Sequence, residues 1–346
     1  MTQALGSTMT SAKTATSLDR AGDLCRSAWG IEATLSLLPS ERDEIFRVEA
    51  ADGRRFTLKL TSPVEEESAT DFQTAALKHA VVRAPDLPIP HLVPDRDGRV
   101  SFRPDWSGDA VPTARLLTWL EGTPLVSAPR NAAQAASMGD ALARLGLALA
   151  DFDHAGADHD IAWDLRNIKR LRPLLATIAR NEDRALAEAA MDRFERHTAA
   201  PLERLRRQVI HNDLNLHNTL VAADEPHLLT GIIDFGDAVR TALAADVAIA
   251  ACYLMGEGDE TMRLPQALVA AYHARYPLHD QEIALIAPLM EARHLMTVAI
   301  TEWRAAQYPE NRAYITKNTA IAWRGLAAFA CRPTERWVAG FTDLCR

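Results

Sequence analysis

The hydrophobic pattern changes period about a third of the way along the chain, and that change limits the folds open to it. Up to about residue 115 the apolar residues come in short runs bounded by turn signals. Ala33 to Leu38, Ile45 to Ala50 and Arg55 to Leu60 read as strands, the last two joined by a hairpin turn at Asp52-Gly53. A helix is predicted over about residues 68–82, where Phe72, Ala76, Leu77 and Ala80 share a face, and a shorter one over Leu18 to Trp29. Four prolines between Pro85 and Pro94 make an extended connector. Asp97-Gly98 marks another hairpin turn, and Arg115 to Leu120 reads as a strand ending at Glu121-Gly122. Beyond this point Met138, Leu142, Leu145, Leu149 and Phe152 recur at gaps of 4, 3, 4 and 3, one face of a long helix. Similar patterns cover about 165–206, 241–255, 265–275, 281–307 and 316–330. The exception is a β island, Asn218 to Val221, a turn at Asp224-Glu225-Pro226, then Leu228 to Ile233. The expected architecture is therefore α+β and bilobed, with a disordered tail over 1–17, a small β-rich lobe over 18–115 and a helical lobe over 116–346.

Composition removes several classes of function. The 46 acidic residues exceed the 38 basic ones, a formal net charge of -8, which argues against broad nucleic-acid binding. Cys25, Cys252, Cys331 and Cys345 stand apart, with no metal-like spacing, and read as free thiols in a reducing, cytoplasmic compartment. No run of 18 or more apolar residues occurs, so no membrane span is expected, and the Ser- and Thr-rich first residues lack the apolar core of a secretory signal.

Chemistry concentrates in two runs, Val209-Ile210-His211-Asn212-Asp213-Leu214-Asn215-Leu216-His217-Asn218 and Gly231-Ile232-Ile233-Asp234-Phe235-Gly236-Asp237. Each sets polar groups beside an apolar strand. The hairpin of the β island brings Asn218 and Asp234 together, a carboxylate and an amide oxygen, which is hard-cation chemistry suited to Mg²⁺ with phosphate and water completing the shell. Asp213, five residues before Asn218, is left to accept a hydrogen bond from a hydroxyl nucleophile.

The spacing H-x-D-x-x-x-x-N followed by a strand and D-F-G matches the catalytic set of kinase-type phosphoryl transfer. With Leu38-Pro39-Ser40-Glu41-Arg42-Asp43, Thr57-Leu58-Lys59-Leu60, Arg115 to Pro124 and Trp163-Asp164-Leu165-Arg166, the chain resembles the aminoglycoside phosphotransferase/choline kinase family from about Leu35 to Phe329, and within it the hydroxylysine-kinase-like branch. The resemblance implies a bilobed protein-kinase-like fold and an ATP- and Mg²⁺-dependent kinase acting on a hydroxyl of a small, amine-bearing molecule. It makes Asp213 the catalytic carboxylate, His211 the residue shaping its loop, and Asn218 and Asp234 the Mg²⁺ ligands. Lys59 reaches the α/β-phosphates, with Asp71 where the family usually has its helix Glu. The turn formed by Ser40, Glu41, Arg42 and Asp43 covers the phosphates. Leu117, Thr118, Trp119 and Leu120 form the hinge against adenine, and Asp246 braces the catalytic loop. Trp163, Asp164, Asp237 and Arg293 are the candidate acceptor-site residues.

Three positions depart from the family pattern. Asn212 stands for the glycine of H-G-D, the phosphate turn has no glycine, and Asn215 stands where protein kinases carry a lysine. Bland readings compete at several sites: Trp163 is either acceptor wall or core packing, and the acids between Asp151 and Asp164 are a solvated loop rather than a second metal site. The functional alternative is a catalytically silent nucleotide-binding module, against which the joint retention of Lys59, Asp213, Asn218 and Asp234 argues. Phosphorylation of a protein is disfavoured because no A-P-E run follows Asp234-Phe235-Gly236.

Overall fold

The computed structural model describes residues 15–40, 43–107 and 110–345. Glu41 and Arg42, and most of the expected tail, lie outside the described residues. The last tail residues are engaged: Ser17 caps α1 (Leu18–Leu24), and Thr16 donates its N–H and hydroxyl to the Glu44 carboxylate, both at 2.7 Å.

Strands β1 (Ala33–Leu38), β2 (Glu44–Ala50) and β3 (Arg55–Thr61) lead to helix α2 (Glu67–Arg83), then β4 (Leu92–Val93) and β5 (Thr113–Thr118). They form one antiparallel sheet in the order β1-β2-β3-β5-β4, so β3 and β5, distant in sequence, are direct neighbours. Alternation puts Phe46, Val48, Phe56, Leu58, Leu60 and Leu116 into a core shared with α1. The sheet runs on to Thr118, three residues past the expected lobe boundary at 115, because β5 pairs with β3 along its whole length.

Helix α2 belongs to the other core. Phe72, Ala76, Leu77 and Ala80 face the large lobe and join its apolar cluster. Gly156 makes that approach possible, since a Cβ there would sit 2.5 Å from the Ser68 carbonyl oxygen.

A short β6 (Thr123–Pro124) opens the large lobe, followed by α3 (Ala132–Ala148). Between 165 and 206 the expected helix is replaced by a 3₁₀ stretch over Leu165–Thr177, then α4 (Asn181–Arg193) and α5 (Ala199–Leu202). The reason is legible afterwards: the buried residues Leu165, Ile168, Leu171 and Leu174 repeat every third position, the 3₁₀ period, and Pro173 interrupts an α-helix. Next come β7 (Arg207–Ile210), β8 (Thr219–Val221), β9 (Leu229–Ile232) and β10 (Val239–Ala242), then α6 (Leu243–Cys252) and α7 (Arg263–Arg275). Helices α8 (Asp280–Gln307), α9 (Arg312–Ile315), α10 (Thr319–Cys331) and α11 (Thr334–Leu344) complete the described chain.

Helix α8 is long and apolar enough to cross a membrane, which a count of consecutive apolar residues misses because Glu291 and Arg293 interrupt the run. Its apolar window is 89% buried inside the protein, as the central helix of the large lobe. The acids of the expected solvated loop are exposed and form surface ion pairs, Asp151 with His79 and Arg83, Asp153 with Arg240, Asp158 with Arg207, and Asp160 with Arg170.

Candidate active site

Two interleaved hairpins build the site. β8 pairs with β9, as the sequence suggests, but β7 also pairs with β10, with Ile210 opposite Val239. The loops 211–218 and 233–238 therefore leave neighbouring strand ends and face each other. His211 stitches them together. Its Nδ1 accepts the Asp213 N–H at 3.3 Å and its Nε2 donates to the Ile233 carbonyl at 3.1 Å, an arrangement that needs the neutral Nε2–H tautomer. Asp246, buried on α6, accepts the His211 and Asn212 N–H groups at 3.2 and 2.8 Å.

Among non-glycine residues described, only Asn212 and Asp234 have positive φ, 64° in each case. Both are residue types that tolerate the left-handed region, and both lie at the site, where such strain concentrates. Asn212→Ala is expected to cost about 1–2 kcal/mol, because alanine loses that tolerance and the Asn212 Nδ2 bond to the Trp163 carbonyl. Asn212→Gly should stay within about 0.5 kcal/mol. Urea unfolding of the two variants checks this, and equal losses would show that backbone conformation is not what Asn212 supplies.

Asp213 is held at both carboxylate oxygens. Oδ1 accepts from Arg293 Nη2 at 2.7 Å, and Oδ2 accepts from Asn215 Nδ2 at 3.0 Å and Asn218 Nδ2 at 2.8 Å. Burial pushes its carboxyl up to about 7, with Asp237 and Asp234 acting in the same direction and Arg293 opposing them. Arg293 is itself buried on α8, its guanidinium 4.8 Å from the Trp163 ring centroid and 3.2 Å from the Tyr253 hydroxyl. Trp163 is thus the seat of Arg293, and Arg293 serves the catalytic loop directly. Asn215, which carries no charge, supplies a neutral donor instead.

Asn218 and Asp234 lie on the two facing loops. Asn218 commits its amide nitrogen to Asp213, donating to Oδ2 and to the main-chain carbonyl at 2.9 Å, so its amide oxygen is the end turned away. Asp234 Oδ1 accepts from Lys59 Nζ at 3.1 Å and from the Gly236 N–H at 3.2 Å. Among the described residues no group of three or more His, Cys, Asp and Glu could hold a metal. The donors present are oxygens, two from protein, which fits a divalent hard cation whose shell is completed by phosphate and water.

Lys59 on β3 pairs with Asp43 at 3.0 Å and Asp234 at 3.1 Å. Burial works against its charge, but the two carboxylates outweigh it and hold its pKa above the ordinary lysine value. Asp43, bonded by the Ser62 N–H and by Ser40 through its carbonyl, supplies the partner from the phosphate turn. Asp71 does not. Its carboxylate is exposed and lies 3.3 Å from His154, because it faces away from the sheet on α2.

Asp164 also differs from expectation. It is buried, accepts from the Arg166 N–H and guanidinium and from Thr241 Oγ1 at 2.9 Å, and so caps the 3₁₀ stretch against β10 rather than facing an amine. Asp237 lies one turn beyond Asp234, within electrostatic reach of Asp213. Of the expected hinge residues, Leu117 and Thr118 end β5, and Trp119 and Leu120 follow it. Thr118 exchanges hydrogen bonds with the His91 backbone at 2.8 and 2.9 Å, Leu117 leans on the large-lobe core, and Leu120 packs near Gly231. The Trp119 ring lies under Arg47, 5.3 Å from its guanidinium.

The sequence reading did not single out Gln73, and it named Arg115 only as the start of the run to Pro124, with no role at the site. Both are buried, Arg115 opposite Lys59 and Gln73 bonded to Arg115.

A bilobed α+β frame with a lysine-bearing strand over paired catalytic loops defines a phosphotransferase of the kinase type. The chain belongs to the phosphotransferase enzyme family, whose model matches residues 34–286. It is a small-molecule kinase with a hydroxyl acceptor, and its relatives are of that kind. Hydroxylysine kinase of Mus musculus is 26% identical over 331 residues, covering 89% of this chain and 87% of that protein. A microcompartment-associated aminopropanol kinase superposes with a TM-score of 0.70 at 22% identity, over 95% of this chain and 99% of that one. An amicoumacin kinase in complex with AMP-PNP and Ca²⁺ superposes with a TM-score of 0.62 at 15% identity, over 83% and 87%. The expected protein-kinase-like fold is borne out by these superpositions.

Proposed function

We propose that the protein transfers the γ-phosphate of ATP, with Mg²⁺, to the hydroxyl of an amine-bearing small molecule, a hydroxy-amino acid such as hydroxylysine or an amino alcohol. The observation that carries this reading is that three separate stretches of chain supply two hydrogen-bonded pairs on facing loops, Asn218 with Asp213 and Lys59 with Asp234. Phosphoryl transfer asks little covalent chemistry of a protein and depends on positioning and charge neutralisation.

In this reading Asn218 and Asp234 hold Mg²⁺, which when bound neutralises charge on the phosphates. Lys59, now shared by two carboxylates, turns part of its charge to the α/β-phosphates as nucleotide enters. Asp213 orients the acceptor hydroxyl and takes its proton, and Asn215 and Asn218 fix the plane of its carboxylate. Asp213, Asp234 and Asp237 form an acidic floor with which an acceptor ammonium is electrostatically compatible.

The test is Mg²⁺-dependent ATP consumption against hydroxylysine, other hydroxy-amino acids, amino alcohols and aminoglycosides. Turnover is expected with acceptors carrying a hydroxyl and an ammonium, and to be lost when the ammonium is replaced by hydrogen. Equal turnover of amine-free analogues would overturn the assignment of the acidic floor. Tight nucleotide binding with no turnover of any acceptor would favour the silent module.

A further inference from the structure

Protein kinases join the strand lysine to a helix glutamate, and that ion pair fixes the helix against the phosphate site. Here helix α2 presents Gln73 to the buried interior, two residues beyond the outward-facing Asp71, a rotation of about 200° on a helix. Both ends of the Gln73 amide are used. Its Oε1 accepts from Arg115 Nη2 at 3.2 Å, and its Nε2 donates to the Gly236 carbonyl at 3.0 Å.

The orientation of that amide is unambiguous. An arginine only donates and a carbonyl only accepts, so the amide oxygen must face Arg115 and the NH₂ must face Gly236. Arg115 is correspondingly unusual. It lies directly opposite Lys59 in the β3–β5 register, and like charges in that relation are unfavourable. It is buried, and it donates to neutral oxygens: Thr61 Oγ1 at 2.8 Å, Gln73 Oε1 at 3.2 Å and Thr74 Oγ1 at 3.5 Å. A glutamate at 73 would satisfy this guanidinium better, but would have no hydrogen to give Gly236.

Gly236 belongs to the turn that carries Asp234. Its N–H already donates to Asp234 Oδ1, and Asp234 sits in the left-handed region. The Gln73 bond to the Gly236 carbonyl is therefore a second restraint on a strained turn. It comes from a helix that is packed into the large lobe through Phe72, Ala76 and Leu77 beside it.

We propose that Gln73, oriented by Arg115, is a positioning residue that straps the metal-binding turn Asp234-Phe235-Gly236 to helix α2, in the place of a lysine–glutamate pair. The strap sets the height of Asp234 relative to Lys59 without placing another negative charge beside the phosphates.

Gln73→Glu keeps the shape and gives Arg115 a carboxylate, but replaces the donor to Gly236 with an oxygen and adds a negative charge at the turn. It is therefore read beside a charge-free variant. Gln73→Met removes both bonds at similar volume and serves if the charged variant folds poorly. The full-length protein is titrated with ATP with and without Mg²⁺, and melting temperature, kcat and the KM values for MgATP and acceptor are measured. For Gln73→Glu the expected result is a melting temperature at or above that of the native chain. Mg²⁺-dependent ATP affinity and kcat/KM for MgATP fall about 10–100-fold, the usual effect of losing a group that orients a metal ligand, and acceptor KM is unchanged. Gln73→Met should show the same kinetic loss together with a lower melting temperature. Native MgATP affinity and kcat/KM in both variants would overturn the strap. So would a loss equal in the presence and absence of Mg²⁺, since that would place the effect on the nucleotide pocket. The binding titration needs no acceptor, so a wrong acceptor class leaves this test intact.

Discussion

Asp213→Asn is expected to lower kcat by about 10²–10⁴ while leaving MgATP affinity within a few-fold of native. Asparagine preserves the side-chain shape and an oxygen for Arg293, at the loss of the bonds that Oδ2 accepts from Asn215 and Asn218. What also disappears is the capacity to accept the hydroxyl proton. Steady-state kinetics with a calorimetric ATP titration check both halves, and native turnover would remove Asp213 from its assigned role. The same carboxylate sets the sign of the pH dependence. Burial and the neighbouring Asp237 and Asp234 raise its pKa, so the base-competent ionised form is lost as pH falls through a range above that of ordinary carboxylates. The acid limb of kcat/KM should lie above the ordinary aspartate range, shifted downward by any cation bound beside it. An acid limb at the ordinary aspartate pKa in low Mg²⁺ would contradict the dry setting of this group.

Asp234→Asn is the second large effect, and the choice of asparagine matters. Position 234 has φ 64° and ψ 81°, so alanine would add backbone strain to the loss of charge. Asparagine accepts that backbone and retains an oxygen for the Gly236 N–H, which isolates the missing negative charge. Turnover is expected to fall about 10²–10³-fold, with the Mg²⁺ concentration for half-maximal rate moving upward. Lys59 simultaneously loses one of its two carboxylates, so metal-free ATP should bind as well as to the native chain or better. Titrations with and without Mg²⁺ read these two opposite changes. A variant with native metal dependence would mean that Asp234 is not a ligand.

The parts of the site carried by contiguous sequence were legible before any coordinates. His211 to Asn218 and Asp234 to Asp237 announce themselves because each short loop carries its chemistry at fixed spacing beside an apolar strand. Arg293 was flagged only by resemblance, and its pairing with Asp213 across the fold has no local signal. Asp164 misled for a related reason: an acid beside a tryptophan suggests an exposed amine site, whereas the partners that bury it, Arg166 and Thr241, include one far along the chain. Lys59 was found by its strand motif, but its counter-charges come from Asp43 and Asp234 rather than from the helix. The contact between Gln73 and Arg115 was invisible because it depends on β3 meeting β5 in one register after a long intervening excursion. Periodicity located the helices well where the spacing mixed threes and fours. It failed over Leu165–Thr177, where strict threes had been folded into a longer helical pattern.

Helix α8 also imposes an order on how the enzyme comes into being. It holds Arg206 through Glu282, Arg193 through Glu291 and Asp213 through Arg293, so three earlier segments converge on one late one. A chain emerging from the ribosome therefore presents the sheet, helix α2 and both catalytic loops before the arginine that steadies Asp213 has been made. Until α10 and α11 follow, the apolar flank of α8 lacks its final cover and resembles the segments that insertion machinery and chaperones recognise. The carboxylate that orients the acceptor thus gains its arginine partner only after both loops it belongs with have been made.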